Sequence, residues 1–145
     1  MADLTVPLSR KYGRSTAVYL PVAASTEIFA GMGLERAVTG EVSVLAAAGQ
    51  FAGFAMTNAD NSGGAAGDLN VQVVESGIVE LTVAASTAAA IGDTVFANDS
   101  NTFDLTATTS QGIGSLYRQI GSGSTTWEVK FNAAGLLGTA TESVA

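Results

Sequence analysis

The chain contains neither cysteine nor histidine. Without cysteine there is no disulfide framework and no thiolate chemistry. Without histidine the usual general base at neutral pH and the commonest metal ligand are missing. Ser-His-Asp and Cys-His catalysis and His-based zinc sites are therefore closed to this one chain. Charge is scarce too: charged residues make up 13% of the 145 positions, about half of the typical ~25%. Proline occurs twice and aromatic residues make up 7%. No apolar run approaches the ~18 residues that cross a membrane as a helix. The opening Met1-Ala2-Asp3-Leu4 lacks the basic and apolar regions of a signal peptide, and synthesis in a cytoplasm is expected.

What fills the gap is Gly, Ala, Ser and Thr, which suit tight β-turns and surfaces covered by a neighbour. The six cations stand against 13 carboxylates, for a net charge of −7. Such a chain repels phosphate backbones, so no nucleic-acid partner is expected, and no membrane partner either. A length of 145 residues suits one domain that buries roughly 68–70% of its unfolded surface.

The pattern along the chain is that of short strands between turn signals, which argues for an all-β fold, a small antiparallel barrel or sandwich. Residues 16–20 read as a strand ended by Pro21, hence short or at an edge. Residues 27–30, 41–45 and 51–56 are further strands. Residues 58–68 form a loop by composition. Residues 70–73 and 79–83 alternate on either side of Ser76-Gly77, which marks a turn or bulge. Residues 84–90 are the one helix-like stretch, with Ser86 or Thr87 as N-cap. Residues 94–97 and 102–106 flank the tight turn Asp99-Ser100-Asn101, and residues 113–120 form another strand. In the last strand Trp127, Val129 and Phe131 share one face and point inward.

Three regions follow: an extended N-terminal arm at 1–15, a β-barrel body at 16–131 and a C-terminal arm at 132–145. Arg10, Lys11 and Arg14 hold half of the chain's cations within five positions. They suggest an arm that docks on an acidic partner, and Val18, Tyr19 and Leu20 extend this candidate contact surface. An extended apolar segment of this kind adds a strand to a sheet edge.

The carboxylates offer little chemistry. Asp60 and Asp68 flank a glycine-rich loop, but the alternating ligands of a calcium-binding EF-hand are absent. Asp99 and Asp104 straddle a hairpin, where Asp is a natural turn residue, rather than facing each other across a cleft. Phosphate-binding loops and nucleophile elbows are missing. The sequence therefore predicts no enzyme, no cofactor and no metal.

The order of motifs resembles the capsid cement, or head decoration, proteins of tailed phages. The residues that carry this are Asn58-Ala59-Asp60-Asn61-Ser62, Gly67-Asp68 and Val71-Gln72-Val73-Val74. They continue with Ile78-Val79-Glu80-Leu81-Thr82-Val83 and Ile91-Gly92-Asp93-Thr94-Val95-Phe96-Ala97. The hairpin Asn98-Asp99-Ser100-Asn101-Thr102-Phe103 and the closing Trp127-Glu128-Val129-Lys130-Phe131 complete it. The match spans residues 49–131, and more loosely 16–35. The resemblance implies a small β-barrel or β-tulip body on the outer face of the expanded head. Its implied partners are the major capsid protein and one or two further copies of itself, as a dimer or trimer, with a virion location. Two alternatives are another virion part, such as a tail-tube or head-completion protein, and an adhesive or carbohydrate-binding β module.

Overall fold

A computed structural model of the chain describes residues 3–8, 10, 12–46, 49–106 and 111–133, with the backbone alone for 12–16 and 111. The C-terminal arm lies outside the described residues from position 134 onward. The strands are β1 (Tyr12–Pro21), β2 (Thr26–Ile28), β3 (Gly33–Arg36), β4 (Val42–Val44), β5 (Phe51–Ala55) and β6 (Ala59–Asn61). They continue with β7 (Asn70–Thr82), β8 (Thr94–Asp99), β9 (Thr102–Asp104), β10 (Gln111–Gln119) and β11 (Thr126–Asn132). The fold is all-β, with no helix among the described residues, and its antiparallel sheet curls strongly into a half-barrel.

The spine is β7, thirteen residues long. Val73, Val74, Gly77 and Val79 each pair on both sides: with β1 on one edge, and with β5 or β11 on the other. The sheet then runs from β5 to β3 and β4, and from β11 to β10, β8 and β9. Its two ends meet at a bridge between Ala46 and Asp99, and the Gly33 amide donates to the Ser100 carbonyl at 2.8 Å. The pair β2–β6 forms a separate small sheet.

Two cores result. The first holds Phe51, Phe54, Val79, Leu81, Phe103, Trp127, Val129 and Phe131. The second holds Leu20, Val22, Ile28, Leu34, Val42, Val71 and Val73. Strict alternation cannot send Val71 and Val73 to one core and Val79 and Leu81 to the other, because all four are odd-numbered. The switch occurs at a β-bulge. Between Ala17↔Val74 and Thr16↔Ser76 the register skips a residue of β7, and Gly77 has φ of 144°. Ser76-Gly77 is thus a bulge inside one continuous strand, and the two strands read from the sequence are one. A bulge re-aims the side chains that follow it, so a single strand feeds both cores.

The helix expected over 84–90 is absent: the segment is a run of turns. Ala85 has φ of 57°, outside the helical region, and Ser86 turns inward. Its hydroxyl donates to the Val83 carbonyl at 2.6 Å, and its own carbonyl accepts the Trp127 indole N–H at 3.3 Å. A buried indole that finds its acceptor here holds the chain in a conformation a helix could not supply.

Candidate functional site

The candidate contact residues of the N-terminal region divide sharply. Arg10 does not project toward a partner. Its Nε donates to the Gly31 carbonyl at 2.7 Å and its Nη2 to Asn101 Oδ1. Its guanidinium lies over the rings of Phe54 and Phe103, at 5.6 and 5.7 Å. Nearby, the Leu8 amide donates to the Ala30 carbonyl at 2.8 Å, and Asp3 Oδ1 accepts the Ser100 amide and hydroxyl at 3.2 and 2.6 Å. Asp3, Leu8 and Arg10 therefore strap the seam at which the curled sheet's ends meet. The physical reason is that a guanidinium satisfies a carbonyl and an amide oxygen while covering two aromatic faces. The arm and body also share a strand, since β1 begins at Tyr12 rather than at residue 16. Lys11 lies outside the described residues, and Arg14 is placed by its backbone in β1.

Replacing Arg10 with methionine keeps the length of the stem and removes the charge and donors. We expect a loss of about 2–3 kcal/mol in chemical denaturation, from hydrogen bonds of a charged donor and the ring contacts. Faster hydrogen exchange at the Gly33 amide would show that the loss lies at the seam.

The remaining three positions lie further along β1. Leu20 is buried and Val18 half-buried, both against the second core. Tyr19 faces outward with 69% of its surface exposed. The backbone follows the same alternation. The Val22 amide donates to the Leu69 carbonyl on the β7 side at 2.9 Å, so Leu20 and Val18 also turn their backbone groups toward β7. From β7, Gln72 serves the opposite neighbour: its carbonyl accepts the Met56 amide at 2.8 Å and its amide donates to Thr57 Oγ1 at 3.2 Å. This leaves Val71 and Val73 facing β1, opposite Leu20 and Val18. Tyr19 and Pro21 consequently point their backbones away from the sheet. Pro21 has no N–H to lose there, which is why an edge position tolerates it.

Among the described residues no strand pairs with this outer edge of β1. The other long margins are covered. Val22 and Ala23 lie against β4, through a Val22–Val42 bridge and an Ala23 amide to Val42 carbonyl bond of 2.9 Å. Val83 and Ala84 cover β9 in the same manner at Phe103. The site is therefore an open strand edge, limited at one end by Pro21 and marked by an exposed tyrosine.

The carboxylates sit in structural roles. Asp60 Oδ1 accepts the hydroxyl and amide of Ser62 at 2.6 and 3.1 Å, and these bonds, the hydroxyl's first, hold its pKa below the usual aspartate value. Asp68 accepts the Ala65 amide, and Asp104 accepts from Asn98 and Thr106. Buried Asn61 ties the loop down by donating to the carbonyls of Ala23 and Ala65. No group of three or more potential metal ligands occurs among the described residues. An open groove of about 600 Å³ beside the β3–β4 hairpin is lined by Arg36, Val38, Phe51 and Glu75, and Arg36 is held by the Gly40 carbonyl.

The salt bridge among the described residues joins Arg118 Nε to Glu128 Oε1 at 2.9 Å across β10 and β11. The hydrogen bond from Arg118, ahead of its charge, lowers the Glu128 pKa. A lowered folded-state value contributes stability above the ordinary pKa of 4.5, lost as pH falls through the folded value. Both side chains are solvated, so the contribution is small. In Arg118→Met, an NMR titration should find Glu128 returned upward toward 4.5 and Asp60 unmoved.

Comparison with known proteins finds no matching family model, no matching curated protein and no matching solved structure. The strap was missed in the sequence because nothing there couples Asp3 to Ser100 or Arg10 to two phenylalanines. The open edge left one signal, Pro21 ending an apolar strand.

Proposed function

We propose that this chain is a structural virion protein that works by association: a cement protein on the outer face of a tailed-phage head. The observation that carries this reading is the outer edge of β1, with which no strand pairs among the described residues. An edge of unpaired amides and carbonyls accepts an extended strand, whose main-chain bonds supply affinity without any catalytic group. The acidic balance of the body supports a surface-exposed position. Residues 16–131 carry Arg36, Arg118 and Lys130 against eleven carboxylates, which keeps the body soluble and turns nucleic acid away. Repetition over a shell multiplies weak single contacts into avidity. The order of the turn and strand motifs from residue 49 to 131, similar to that of phage head decoration proteins, adds the choice of shell.

The test is co-sedimentation of the purified protein with expanded, undecorated phage heads. Saturable binding at a fixed ratio to the shell subunit is expected, and no binding to expanded heads overturns the reading. Removing residues 1–15 is a poor probe of the arm, because it also removes Asp3 and Arg10 from the seam. Charge reversal at Lys11 and Arg14 tests the arm while keeping Asp3 and Arg10 on the seam. The exposed-aromatic surface of a carbohydrate-binding module finds no support at Trp127, which is 2% exposed.

A further inference from the structure

The association reading leaves open what occupies the edge of β1, and on that reading we infer that the occupant is a second copy of this chain. Two β1 strands would pair antiparallel about a twofold axis. Three features argue for this.

The first is self-complementarity. In an antiparallel pair about a twofold, the same edge serves both partners, so one unpaired strand is sufficient for a closed, isologous contact. The outward backbone of Tyr19 meets the outward backbone of its mate's strand, and Pro21 on each copy stops the ladder from extending. The assembly therefore ends at two copies instead of growing into a fibre. The second is side-chain cover. Tyr19 and Ala17 are exposed on the same face, and pairing brings the two tyrosines of the dimer into cross-strand range, where aromatic pairs stabilise a sheet.

The third is charge. Arg14 is the one ionisable cation in β1 and lies toward its N-terminal end. At the other end, the chain just past Pro21 bonds to three segments that each carry a carboxylate next to the bonded residue. Val22 pairs with Val42, next to Glu41, and the Val22 carbonyl accepts the Gly67 amide, next to Asp68. Asn61, next to Asp60, bonds to the Ala23 carbonyl. Asp60 moreover stands directly opposite Glu27 in the β2–β6 pair, both exposed, an arrangement of like charges that costs stability within one copy. Antiparallel pairing carries the basic end of each β1 to the acidic end of its mate, twice. A parallel arrangement would set Arg14 beside Arg14.

Sedimentation velocity of the full-length protein without heads tests this. The wild type is expected to be dimeric, with a dimer that weakens as salt rises. Tyr19→Pro removes an N–H that β7 does not use, so it should give a monomer with unchanged far-UV circular dichroism. Tyr19→Ala, which keeps the N–H, should remain a dimer. Hydrogen exchange at the Tyr19 amide of the wild type gives the answer even if Tyr19→Pro fails to fold. A protected amide supports the pairing. A monomer at every concentration, or a dimer whose Tyr19 amide exchanges freely, overturns it. The outcome is separable from the cement reading. A monomer that still binds heads fails this inference alone, and a dimer that ignores heads fails the cement role alone.

Discussion

Phe54→Ala is expected to destabilise the protein by about 3–5 kcal/mol, the range for removing a buried phenylalanine from a packed core. Phe54 is fully buried, with its ring 5.5 Å from Phe51, 5.0 Å from Phe131 and 5.9 Å from Phe103. Two of these contacts are edge-on, the geometry that aligns the positive rim of one ring with the negative face of another. The same ring lies under the Arg10 guanidinium. Its removal therefore opens a cavity and strips one face from the strap across the seam. Against a total stability of roughly 5–15 kcal/mol, the variant loses a large share, and its melting temperature should fall by roughly 10–20 °C. Urea denaturation followed by Trp127 fluorescence measures the loss. The double variant with Arg10→Met should lose less than the sum of the single losses, because the two side chains share one contact. Strict additivity would show that Arg10 and Phe54 do not interact.

The β class was legible because alternation and turn residues are local. Trp127, Val129 and Phe131 point inward as their spacing indicates, and Asp99-Ser100-Asn101 makes the β8–β9 turn. What resisted reading depends on contacts distant in sequence. Ser86 resembles an N-cap in the one-dimensional pattern, yet Trp127, forty-one positions away, claims its carbonyl. Arg10 looks like a solvated cation until Asn101, ninety-one positions on, and two rings close around it. The proposed edge was half legible. Pro21 announced the end of an edge strand, but only the pairing of β7 shows which side of β1 is open and that Leu20 and Val18 face inward.

Gly53→Ala should cost more than a methyl group ordinarily does, and a second glycine provides the reference. Gly53 has φ of 125°, and a Cβ built there would sit 2.2 Å from the Val74 carbonyl oxygen and 2.9 Å from a Val73 methyl. The close approach exists because β5 carries a bulge: Leu34 pairs with Gly53 and Glu35 with Phe51, which leaves Ala52 extra. That extra residue puts Phe51 and Phe54, three positions apart, into the same core, where strict alternation would separate them. A side chain at Gly53 brings two penalties, an unfavourable φ and overpacking against backbone, each about 1–3 kcal/mol. Gly67, with φ of 84° and nothing within 4 Å of its Cβ position, carries the first penalty alone. Gly67→Ala should therefore lose about 1 kcal/mol, and Gly53→Ala clearly more. The difference measures how tightly β5 is pressed onto β7. Equal losses would mean that β5 yields to a methyl group, and that the bulge does not fix the aromatic cluster in place.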